Sequence, residues 1–73
     1  MFLTPKETEA AIHEIQDLTG YSFNEIARET ELSVPTITRL AHGQSRPTLE
    51  TRHKINVLLK RMRRRAVNRE RAK

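Results

Sequence analysis

The chain contains no cysteine and no tryptophan, only two glycines and three prolines, and three Phe or Tyr residues in all. Without cysteine there can be no disulfide framework, thiolate metal site or cysteine nucleophile, and the composition suits a reducing cytoplasm. Two isolated glycines cannot build a glycine-rich phosphate loop. No apolar run approaches the ~20 residues that a membrane span needs. The N-terminal residues lack the basic stretch followed by a hydrophobic stretch that marks a secretory signal. With 73 residues the chain holds a single domain with a small core, so helix-on-helix packing must supply its stability.

What is abundant is charge, and it is unevenly placed. The net charge is +5. Residues 1–51 carry Lys6, Arg28, Arg39 and Arg46 against eight carboxylates, a balance of −4. Residues 52–73 carry ten Lys or Arg against Glu70 alone, a balance of +9. Such a basic segment points to a polyanionic partner, of which nucleic acid is the commonest.

Helix signals divide the chain. Thr4, Pro5 and Glu7 form a capping box with proline in the first helical position, where its missing N–H costs nothing. Ala11, Ile12, Ile15 and Leu18 then fall on one face, and Gly20 offers a left-handed stop. Ser22 and Glu25 suggest a second capping box, opening a helix with Phe23, Ile26, Ala27 and Thr30 on its inner side. Ser33 caps a third helix over about Val34–Ala41, with Pro35 in its first turn and Gly43 near its end. Gln44, Ser45, Arg46 and Pro47 form a loop, and Thr48 caps a fourth helix carrying Leu49, Ile55, Leu58 and Met62. Residues 1–62 are expected to fold, and the Arg-rich residues 63–73 to form a basic tail that frays. The expected fold is all-α, a small bundle of four or five helices.

Two short helices joined by a tight turn at Thr30-Glu31-Leu32 are the signature of a helix-turn-helix. Ala27 supplies the small side chain needed where the two helices cross. Ile26, Leu32, Ile37 and Leu40 supply the packing between them. Phe23-Asn24-Glu25-Ile26-Ala27, then Leu32-Ser33-Val34-Pro35-Thr36-Ile37-Thr38-Arg39-Leu40, then Gly43 and Arg46-Pro47-Thr48-Leu49-Glu50-Thr51, resemble the lambda-repressor-like helix-turn-helix domains of phage repressors, Cro proteins and related bacterial regulators. The resemblance covers roughly residues 8–60. It departs from the family at Glu31, where glycine is usual. A positive φ there would cost ~1 kcal/mol unless the turn opens.

The resemblance implies a sequence-specific DNA-binding transcriptional regulator, a repressor of phage or bacterial origin, working in the cytoplasm on double-stranded DNA. The third helix would lie in the major groove with Val34, Pro35, Thr36, Thr38 and Arg39 toward the bases. Arg39 can donate two hydrogen bonds to guanine, worth roughly 1–3 kcal/mol of discrimination, or can instead pair with Glu31 or Glu50. Val34 and Pro35 offer an apolar edge to a thymine methyl. Ser22 and Asn24, at a helix N-terminus, and His42, Gln44, Ser45 and Arg46, after the third helix, are the expected phosphate contacts. In the tail, Arg61, Arg63, Arg64 and Arg65, with Lys60, Arg69, Arg71 and Lys73, form either a solvated segment, a DNA backbone contact or an RNA-binding stretch. The family often binds two-fold operators as dimers, with half-sites ~34 Å apart. Ile55, Leu58, Leu59 and Met62, widened by Val57, are a candidate seam.

No cofactor, metal or catalytic activity is expected. In His13-Glu14-Ile15-Gln16-Asp17 the aspartate stands where a zinc-protease helix has its second histidine, so His13 reads as a surface residue. His42 and His53 lack a paired ligand spacing. One rival reading is an antitoxin-like or phage accessory protein that mainly binds a protein partner and uses DNA binding for autoregulation; a second is a nonspecific nucleoid-type binder driven by the tail, which predicts equal affinity for scrambled DNA.

Overall fold

The computed structural model describes residues 4–44 and 46–71, with side chains through Val67. It is an all-α bundle of four helices: α1 (Pro5–Thr19), α2 (Phe23–Thr30), α3 (Val34–Ala41) and α4 (Leu49–Arg71).

The caps explain most of the boundaries. At α1 the Thr4 hydroxyl accepts from the Glu7 N–H at 3.1 Å, and the Glu7 carboxylate accepts from the Thr4 N–H at 2.9 Å. These bonds hold the Glu7 carboxyl below its usual pKa, the backbone bond at Thr4 contributing most. Gly20 closes α1 with φ 75°, its N–H donating to the Gln16 carbonyl. At α2 only half of the expected capping box forms: Ser22 Oγ accepts from the Glu25 N–H at 3.3 Å, and the Glu25 side chain stays on the exposed surface. Ser33 accepts from the Thr36 N–H at 3.3 Å to start α3. Thr48 accepts from the Thr51 N–H at 3.2 Å to start α4.

The turn between α2 and α3 keeps its tight geometry without glycine. Glu31 takes the left-handed conformation, φ 60° and ψ 30°. Its N–H donates to Arg28 and that of Leu32 donates to Ala27, which closes the helix with both bonds of a Schellman motif. Gly43 ends α3 in the same way, with its N–H on Leu40 and that of Gln44 on Arg39. A side chain at Gly43 would be strained at φ 68° and would have to displace the Glu9 carboxylate, 3.3 Å from the ideal Cβ position, so glycine is favoured there.

The helices enclose one core of Ala11, Ile12, Ile15, Ile26, Ala27, Ile37, Leu40, Ala41, Ile55, Leu58, Leu59 and Met62. Leu18, Tyr21, Phe23 and Leu32 pack against it. Thr8, an unforeseen member, is fully buried and donates its hydroxyl proton to the Thr4 carbonyl at 2.8 Å.

Two expectations about α4 need correction. The helix does not break near Arg63 but runs on through Arg71, because arginine and alanine favour helix and cations suit a helix C-terminus. The proposed dimer seam is already occupied: Ile55, Leu58, Leu59 and Met62 are all at most 4% exposed within one chain, since α4 must spend that face on α1 and α2. Val57 alone of that group is exposed. Among the described residues no helix is long and apolar enough to cross a membrane.

Candidate nucleic-acid interface

Helix α3 divides sharply into two faces. Ile37, Leu40 and Ala41 are buried, while Val34, Pro35 and Arg39 are exposed and Thr38 is half-buried. At 3.6 residues per turn, Val34, Pro35, Thr38 and Arg39 fall within an arc of about 140°, and His42 continues it one turn on. Thr36 lies off that arc, half-buried, with its hydroxyl 2.7 Å from Ser33 Oγ. Of the five residues expected to face bases, four share one surface and Thr36 sits at its margin.

The hydrogen bonds within this surface limit its chemistry. Thr38 Oγ1 donates to the Val34 carbonyl at 3.0 Å, so in this rotamer it meets a ligand as an acceptor. His42 Nδ1 donates to the Thr38 carbonyl at 2.7 Å. A neutral His42 ring therefore offers only an acceptor at Nε2, and contact with a phosphate requires the imidazolium. Among the described residues Arg39 has no ion pair; neither Glu31 nor Glu50 holds it.

The expected phosphate contacts gather at one end. The Phe23 ring meets that of His42 edge-on, with centroids 6.4 Å apart and planes at 78°. This contact sets the N-terminus of α2, with Ser22 and Asn24, beside the C-terminus of α3. Asn24, Gln44 and Arg46 are exposed. Ser45 lies outside the described residues.

Sequence reasoning missed the residue that fixes α3 from behind. His13 Nε2 donates to the Ala41 carbonyl at 2.9 Å, tying α1 to one of the orphan carbonyls at the end of α3. His13 is exposed, as expected of a surface residue, and its ring in addition braces the end of α3. Nothing in the local pattern signals a contact spanning 28 positions.

The basic residues stand elsewhere. Arg63 makes a two-pronged pair with Glu14 on α1, Nε to Oε2 at 2.5 Å and an Nη nitrogen to Oε1 at 2.9 Å. This bond lowers the Glu14 pKa and raises that of Arg63, the hydrogen bond outweighing direct charge attraction in both. Arg61 pairs more loosely with Glu29 on α2 at 3.7 Å. Arg64 and Arg65 are exposed. The side chains of Arg69 and Arg71, and Lys73 altogether, lie outside the described residues.

Among the described residues no group of three or more His, Cys, Asp or Glu gathers in a way that could hold a metal ion. No family model, curated protein or solved structure matches this chain.

Proposed function

We propose that the chain is a sequence-specific DNA-binding regulator of transcription that inserts α3 into the major groove. The observation that carries this reading is the division of α3. One side is anchored in the core by Ile37 and Leu40, and the other presents Val34, Pro35, Thr38 and Arg39 in a single arc. A helix is about 10–12 Å across with its side chains and fits a groove about 12 Å wide.

In this reading the N-terminal N–H groups of α2, with Ser22 and Asn24, hold one phosphate and set the register. Gln44 and Arg46, following the same end of α3, hold the neighbouring backbone. Arg39 donates to guanine O6 and N7, Thr38 accepts from a base amino group, and Val34 with Pro35 meets a thymine methyl. Two copies on a two-fold site belong to the same reading. They would meet through surface outside the monomer core. Such a protein acts where the DNA is, in the cytoplasm of a bacterium or phage-infected cell.

Fluorescence anisotropy with the duplex upstream of the protein's own gene tests the reading, with a scrambled duplex as competitor. The expected preference for the native duplex is about three orders of magnitude or more. Arg39→Ala should remove at least about fivefold of it. Equal binding to both duplexes, unaffected by the substitution, would refute operator recognition at that site.

A further inference from the structure

We propose that the projecting basic end of α4 is a second duplex-DNA surface, separate from α3, so that one molecule holds two DNA segments at once. The first segment rests on the reading of α3 given above; the α4 surface stands without it.

Core contact along α4 ends at Met62, yet the helix continues to Arg71, nine residues or about 13 Å further. Lys60, Arg61, Arg63, Arg64 and Arg65 are all exposed. Two of them are anchors: Arg63 is held by Glu14 of α1 and Arg61 by Glu29 of α2. Lys60 and Arg64 lie on the outward arc between these anchors, and Arg65 lies just beyond Arg61. None of the three has an ion pair among the described residues. The pairs Lys60/Arg64 and Arg61/Arg65 set like charges one turn apart, which is unfavourable in a helix. A polyanion laid along the arc relieves that repulsion.

The location separates this surface from α3. Helix α3 is tied to α1 at His13, with Glu9 packed against Gly43, and to the first residue of α2 through the Phe23–His42 contact. The basic end of α4 is tied to α1 at Glu14, about 100° to 140° further round that helix, and to α2 at Glu29, near the opposite end. Helix α4 packs on α1 and α2 rather than on α3, and Lys60 lies about 16 Å along it from Leu49, Arg65 about 24 Å.

The chemistry favours a duplex over unpaired RNA. Residues 49–73 contain no Phe, Tyr or Trp, so stacking of the exposed bases of a single strand would fall to guanidinium planes and His53 alone. Guanidinium and ammonium groups on a straight helix suit a regular line of phosphates, without sequence readout.

The test uses the full chain and a Lys60→Ala, Arg64→Ala, Arg65→Ala triple variant, changed at three exposed positions. Circular dichroism and thermal melting verify that the variant folds. A preferred duplex is immobilised and loaded with protein, and capture of a labelled duplex of unrelated sequence is read. Wild type should capture the second duplex. In the variant, capture should fall at least about tenfold more than affinity for the first duplex, and the salt slope of binding to unrelated DNA should drop by about 2.7, three phosphates at about 0.9 each. Undiminished capture, an equal fall in both affinities or an unchanged salt slope would overturn the proposal. So would displacement of the second duplex by unpaired RNA at lower concentration than by competitor duplex. If Arg39→Ala shows that α3 reads no sequence, the salt slope alone still decides the α4 surface, so the two failures are distinguishable.

Discussion

At the scale of single residues, the tightest constraint is Glu31, a side chain in a left-handed backbone position. Two Schellman bonds and the packing of Leu32 hold it there despite the cost. Glu31→Gly should therefore stabilise the fold by about 0.5–1 kcal/mol in urea unfolding, part of the gain being offset by the greater freedom of glycine in the unfolded chain. His13 is the second such residue. His13→Leu removes the donor from the Ala41 carbonyl and should cost about 1 kcal/mol by the same assay. If α3 reads DNA, the loss should also loosen its seating and weaken binding. An unchanged unfolding midpoint for His13→Leu would mean that the bond to Ala41 carries no net stability.

At the scale of elements, α4 pairs with its neighbours through Arg63 to Glu14 of α1 and Arg61 to Glu29 of α2. The Glu14 pKa is lowered by the Arg63 hydrogen bond from its usual value of 4.5. A depressed carboxylate contributes stability that is fully present above that usual value and is lost as pH falls through the lowered one. Glu14→Gln should thus cost stability at neutral pH, and the gap from wild type should close on acidification below about pH 4.5. Both side chains are well exposed, 56% and 40%, so the gap should stay under about 1 kcal/mol. Unfolding curves across the acid range check it.

The elements were also the most readable part of the sequence. Thr4, Ser22, Ser33 and Thr48 mark four helix starts because a cap is a local contact, visible within four residues. The continuation of α4 was hidden because the residues from Arg63 onward have no apolar period, while propensity and dipole sustain the helix without one. The arc from Val34 to Arg39 was expected from the family resemblance together with helical period, with Thr36 wrongly included in it. The tether at His13 and the pairing of Arg63 were not legible, since each joins residues far apart in the chain and depends on distances that only the fold sets.

At the scale of the whole molecule, a small core supports an unequal distribution of charge. Ile12, Ile15, Ile37 and Ile55 are completely buried and draw all four helices but α2 into contact, with Ile26 bringing in the last. Ile37→Ala should cost about 2–5 kcal/mol, a large fraction of the roughly 5–15 kcal/mol available to a domain, and thermal melting would register it as a steep loss. Residues 1–51 carry net −4 and residues 52–73 net +9, so under the proposed reading attraction to DNA would come mainly from α4 and discrimination from α3. The most direct test of that division is selection of duplexes from a random-sequence pool by the wild-type chain and by Arg39→Ala. The account predicts that wild type enriches a defined motif and that the variant loses preference for guanine at one position of it while keeping the rest. Enrichment of no motif by wild type, or the same motif unaltered in the variant, would contradict it.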